Sequence, residues 1–113
     1  MRRPRQTRAN TVKEAKAMRP SEALAKHRDE VLEIIAKYPV SNPRVFGSVA
    51  RGEDVEGSDI DIVVDVAKGC SYFDIFRIED AISAVLNVDA DVHTLKEFGP
   101  RMLSRVSADI KPL

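Results

Sequence analysis

From Pro20 onward apolar residues recur in two rhythms. Leu24, Val31, Ile35 and Tyr38 fall at helical spacing, Leu32 and Ile34 widen the stripe, and Lys26, Asp29, Glu30, Glu33 and Lys37 lie opposite. That spacing predicts an amphipathic helix. Ser21 is placed to cap it and Glu22 to complement its positive end. Pro39 stops it, and Val40-Ser41-Asn42-Pro43 reads as a turn. Arg44-Val45-Phe46 predicts a short strand that breaks at Gly47-Ser48, and a brief helix from Val49 to Gly52 leads into a polar loop, Glu53 to Ser58.

The second rhythm has a period of two. Ile60, Ile62 and Val64 alternate with Asp59, Asp61, Val63 and Asp65, which predicts a strand with one apolar face on the core. Ile75, Ile78, Ile82 and Val85 return to helical spacing and predict a helix from Tyr72 to Leu86. Val88, Ala90 and Val92 then alternate with Asp89, Asp91 and His93, predicting a strand over 88–94 with acids on one side. Pro100 opens a last helix carrying Met102, Leu103 and Val106, ending before Pro112. Helices interleaved with three strands give an α+β fold, a small mixed sheet covered by helices, with too few strands for a doubly wound sheet.

Composition narrows the function classes. A chain of 113 residues with 43% hydrophobic content builds one modest core and one domain. Nothing approaches the roughly 20 consecutive apolar residues of a membrane span, so membrane partners are not expected and the chain is read as soluble and cytoplasmic. The single cysteine, Cys70, excludes an intrachain disulfide or a cysteine metal cluster. Charge divides the chain in two. Residues 1–19 hold seven Lys and Arg against Glu14, a net +6, which leaves −6 on residues 20–113. The basic segment reads as a flexible leader, with Met18 as an alternative start; contact with nucleic acid or an acidic partner is the other reading. No chemistry is assigned to it.

Candidate chemistry lies on the acidic body. Asp59 and Asp61, at i and i+2 of one strand, project from one face about 6–7 Å apart at the backbone. Like charges on one face repel, so the pair calls for a neutralising cation or basic partner. Magnesium takes oxygen ligands and is commonly held by one or two carboxylates together with substrate phosphates. A third acid from a neighbouring strand would complete a two-ion clamp for displacement at phosphorus. Upstream, Gly47 lets backbone approach a phosphate, and Ser48 with the following helix amides can donate to it. Arg51 is close enough along the turn to pair with phosphate oxygens.

Gly47-Ser48-Val49-Ala50-Arg51-Gly52-Glu53, a spacer of ten residues from Val49 to Ser58, and Asp59-Ile60-Asp61 together resemble the signature of the minimal nucleotidyltransferases, relatives of the DNA polymerase beta nucleotidyltransferase superfamily. The likeness extends over residues 18–113. It implies the polymerase beta-like nucleotidyltransferase fold, Asp59 and Asp61 as ligands of two Mg2+ ions, and Gly47, Ser48 and Arg51 on the triphosphate of ATP. It also implies a third carboxylate that helps deprotonate the acceptor. Asp91 fits that place better than Asp89, although both share a face. Members of the family commonly act as antitoxins beside a HEPN-type ribonuclease toxin. The implied reaction is AMPylation: AMP passes from ATP to a tyrosine hydroxyl of the toxin and pyrophosphate leaves. Two other readings stay open, a non-catalytic antitoxin that caps its toxin and a small-molecule nucleotidyltransferase of the aminoglycoside-modifying kind.

Overall fold

A computed structural model describes residues 18–113, and most of the basic segment, 1–17, lies outside the described residues. The chain runs α1 (Pro20–Ala36), β1 (Val40–Phe46), α2 (Ser48–Arg51), β2 (Ile60–Val66), α3 (Tyr72–Leu86), β3 (Ala90–Thr94), a 3-10 turn (Leu95–Glu97), α4 (Pro100–Asp109) and β4 (Lys111–Pro112). The strands form one sheet in the order β3-β2-β1-β4. β2 and β3 are parallel, joined by α3 as crossover, while β1 is antiparallel to both β2 and β4. The α+β architecture expected from the pattern is the one observed.

One face of the sheet carries the main core. Ile60, Ile62 and Val64 of β2 are buried against Val31 and Ile35 of α1 and Ile75, Ile78 and Ile82 of α3. This is the stripe that the two apolar rhythms bring together, and it accounts for most of the favourable burial. Ile78 is fully enclosed. Ile78→Ala is expected to cost about 2–5 kcal/mol through lost burial and a residual cavity, read as a lower urea midpoint with an unchanged slope.

The opposite face differs from the sequence reading. Val63, on the same side as Asp61, is completely buried with Phe46 of β1 and Val106 of α4, and Leu95, Phe98 and Ile110 pack around them. The sheet is therefore covered on both faces at its centre, while Asp59 is exposed and Asp61 and Asp91 are half-buried. Met102 and Leu103 of α4 are exposed rather than core. Only Val106 faces inward, because α4 touches the sheet along a narrow line.

Several boundaries also move, α2 spanning Ser48–Arg51 rather than Val49 to Gly52. α1 starts at Pro20, with Arg19 as its N-cap, and Ser21 lies in the first turn. Proline suits that first position because the missing N–H would have no helical partner. Residues 40–43 are not a turn but the start of β1, with a register shift between Ser41 and Arg44 where Asn42 adopts φ 52°. A bulge absorbs the turn-forming residues without ending the strand. β2 begins at Ile60 and β3 at Ala90, each later than the alternation alone indicates. Finally, β4 adds a fourth strand that a two-residue segment containing Pro112 does not announce in sequence. It is held by pairing with Arg44 and Val45 and by the Leu113 N–H donating to the Pro43 carbonyl at 3.0 Å.

No described helix is long and apolar enough to cross a membrane.

Candidate active site

The site forms where β1 ends and β2 begins. Antiparallel pairing sets Phe46 opposite Asp61, so the next residue, Gly47, turns the chain beside that carboxylate. Gly47 has φ 75° and ψ −150°, a conformation essentially confined to glycine. A Cβ placed on it would stand 3.0 Å from Oδ2 of Asp61. α2 follows at once, opening with Ser48 and closing at Gly52 in the left-handed region. The first-turn amides of a helix have no intrahelical acceptor, and Gly47, the N-cap of α2, has no side chain to offer them one.

Parallel pairing sets Asp61 beside Asp91 of β3. Asp89 precedes β3, and its carbonyl accepts the Ile60 N–H at 2.9 Å. Asp59 is exposed and lies immediately before β2, two residues from Asp61. Asp61 is thus flanked by Gly47 on one side and Asp91 on the other. The three carboxylates are neighbours rather than a closed shell: among the described residues no group of three His, Cys, Asp or Glu stands ready to hold an ion. Their chemistry nevertheless fits magnesium. That ion takes hard oxygen donors and completes its octahedron with waters and substrate phosphates, so it does not require a preformed cage.

Arg51 departs from its expected role. Its guanidinium donates to Glu53 at 2.8 Å and to Asp109 at 2.9 Å, and these two partners raise its pKa further. It ties the end of α2 to the end of α4 rather than presenting its fork to the Gly47-Ser48 bend. Glu53 accordingly shapes the loop, with its own N–H donating to the Ser48 carbonyl. Asp65 is likewise structural, accepting from Asn42 and Arg44, which hold its carboxyl below the usual range.

Sequence reasoning missed how closely His93 joins the site. Its Nε2 lies 3.7 Å from Oδ1 of Asp61 and its Nδ1 3.0 Å from Oε2 of Glu97, and its ring meets Phe46 edge to face. Asp61 does most to raise the imidazole pKa and Glu97 adds to it, lifting it from 6.5 to about 9 against the opposing effect of burial. The signal in sequence was the shared face of Asp91 and His93; Glu97, four residues on, gave none. Because the folded pKa is above the unfolded one, His93 binds a proton on folding. Its contribution is full below pH 6.5 and is lost as pH rises through about 9. In buffer free of divalent ions, the urea-midpoint difference between wild type and His93→Gln is expected to be constant in mildly acidic buffer below pH 6.5 and to shrink as pH rises through about 9.

A nucleotidyltransferase domain model matches residues 24–113. The chain belongs to the nucleotidyltransferase domain family. A Methanocaldococcus jannaschii protein provisionally named a protein adenylyltransferase is 41% identical to this nucleotidyltransferase over 73 residues, 65% of this chain and 81% of that one. A solved structure provisionally described as a minimal nucleotidyltransferase superposes with a TM-score of 0.74 at 35% identity, covering 82% of this chain and 95% of its own. A toxin-antitoxin complex with AMP-PNP shares the fold at 20% identity and a TM-score of 0.65, covering 74% of this chain and 69% of that chain. The match takes in every element from the body of α1 to β4, so this nucleotidyltransferase carries the Gly-Ser bend and the Asp pair within the matched domain.

Proposed function

We propose that this enzyme is a cytoplasmic antitoxin that transfers AMP from ATP to a tyrosine of a helical HEPN-type ribonuclease toxin, with two Mg2+ ions held by Asp59, Asp61 and Asp91. The observation that carries the reading is the register that puts Asp61 between Gly47 and Asp91. The ions, when bound, neutralise the triphosphate and orient its α-phosphorus for in-line attack. Gly47 brings the backbone close to the phosphates, and Ser48 with the first amides of α2 supplies hydrogen bonds to them. Asp91 accepts the tyrosine proton as the new phosphorus–oxygen bond forms and the bond to pyrophosphate breaks.

Four features favour a protein acceptor. The provisional name of the archaeal relative is protein adenylyltransferase, and the fold recurs in a toxin-antitoxin complex with AMP-PNP. Asp59 is exposed and Asp61 and Asp91 are half-buried, so a protein surface can close over the carboxylates. Residues 20–113 carry −6, a charge suited to a basic RNA-cleaving partner. The test is to incubate the chain with the product of the adjacent reading frame, ATP and Mg2+, and to weigh that product. A mass gain of AMP on a tyrosine peptide supports the proposal. Full neutralisation of the toxin with no added mass overturns the transfer reading in favour of capping.

A further inference from the structure

β3 is the outermost strand of the sheet, so only one side of it is paired with β2. The N–H groups of an edge strand that point away from its neighbour need other acceptors when they are buried. On β3 these come from α3. The Ala90 N–H donates to Oγ of Ser83 at 3.0 Å, and the Val92 N–H donates to Oε2 of Glu79 at 2.8 Å. Ser83 is fully buried and Glu79 is 8% exposed, on a helix whose inward positions are otherwise occupied by isoleucine and leucine. The two bonded amides bracket Asp91.

The spacing of the clamp is matched on its two sides. Residues four apart on a helix rise about 6.0 Å, and residues two apart on a strand rise about 6.6 Å. Glu79 and Ser83 therefore reach Val92 and Ala90 without either element being distorted, and their positions fix β3 lengthwise. A one-residue slip would turn Asp91 to the opposite face of the sheet. Elementary edge protection needs only some cover; two buried acceptors at matched spacing also set register.

We infer that Glu79 and Ser83 are positioning residues that hold Asp91 beside Asp61 and so govern the site's grip on divalent metal and triphosphate. This rests on Asp91 being the third carboxylate of the proposed function. Neither residue touches the reacting atoms; both act through the backbone of β3.

The test is calorimetric titration of Mn2+ into the full chain with AMP-PNP present, together with hydrogen exchange at the Ala90 and Val92 amides. Glu79→Leu, which removes the acceptor but keeps the bulk, is expected to weaken Mn2+ uptake at least about tenfold, as loss of a group supporting a metal ligand commonly does. Glu79→Gln, which keeps an acceptor oxygen, is expected to recover most of that affinity. Ser83→Ala, the milder change, is expected to speed exchange at Ala90 and to weaken uptake by a smaller factor. Ile78→Val, which loosens the same helix without touching the clamp, is expected to lower the unfolding midpoint and leave Mn2+ uptake unchanged.

The inference is overturned if Glu79→Leu binds Mn2+ like wild type, if Glu79→Gln is no better than Glu79→Leu, or if Ile78→Val weakens uptake as much. Should Glu79→Leu not fold, Ser83→Ala decides by the same comparison, and wild-type uptake in it overturns the clamp. If wild type itself takes up no Mn2+ with AMP-PNP, the metal reading of the site falls and the clamp falls with it.

Discussion

Replacing Asp59 and Asp61 together with Asn is expected to abolish AMP transfer, by on the order of a thousandfold or more, while leaving the fold intact. The two effects separate because of where the side chains stand. Asp59 is exposed and precedes β2, and Asp61, near the start of β2, is half-buried on the face opposite the main core. The neighbouring Ile60 and Ile62 remain buried on the other face. Asn keeps the shape of each residue but removes the charge that a divalent ion requires, and electrostatic groups aimed at a transferring phosphoryl group contribute factors of about a hundred to a thousand each. Relief of repulsion between like charges works against loss of the Asp61–His93 contact, so the unfolding midpoint is expected to shift only slightly. Mass spectrometry of the partner and a urea melt of the variant check both halves. Undiminished transfer by the double variant would remove the metal site as the seat of activity.

The second large effect is expected from a single methyl group. Gly47→Ala places a Cβ 3.0 Å from Oδ2 of Asp61, at a backbone conformation of φ 75° and ψ −150°. Strain of this kind costs about 1–3 kcal/mol, and the chain can relieve it only by moving the bend or the carboxylate. Either movement disturbs the approach of phosphate to metal, so transfer is expected to fall, by about a hundredfold where the displacement approaches 1 Å. Gly52→Ala is the natural comparison. It has φ 74°, but among the described residues nothing lies within 4 Å of the added carbon. A single left-handed alanine costs about 1–2 kcal/mol, so Gly52→Ala is expected to lower the melting temperature and retain activity. Equal activity losses in the two variants would show that conformation alone, and not crowding of Asp61, explains Gly47.

These contrasts also mark what the sequence made legible. Strong periodicity identified α1, β2 and α3, with the bounds of α3 agreeing from Tyr72 to Leu86, because tertiary burial and local rhythm demand the same residues there. The joined Gly-Ser and Asp-x-Asp motifs likewise located the bend and the strand that meet in space. Elements held by long-range pairing were less visible. β4 depends on Arg44 and Val45, far away in sequence, and Val40-Ser41-Asn42-Pro43 carries turn residues that the sheet accommodates as a bulge.

Side-chain roles at the site followed the same division. Alternation set the acids on one face without dividing Asp89 from Asp91, and the contacts of Arg51 were not legible, since Asp109, one of its two partners, lies 58 positions away. Glu79 interrupts an apolar stripe, a visible anomaly whose meaning emerges only when the Val92 amide is found against it. Asp54 shows the limit. It is 2% exposed, and its Oδ2 accepts the Ser21 N–H at 2.8 Å, standing in as a remote cap for α1. A polar loop residue of this kind carries no periodic signal at all.

Both margins of the sheet are sealed, and this limits how another protein can be recruited. One margin is β4, two residues long with a proline that cannot donate; the other is β3, whose outward Ala90 and Val92 amides are already taken by Ser83 and Glu79. Proteins that recruit an extended peptide as an extra strand need a free row of backbone donors and acceptors. This fold leaves little of that template. A protein acceptor would therefore be read largely through side chains, and surface substitutions could change that reading without disturbing the catalytic frame.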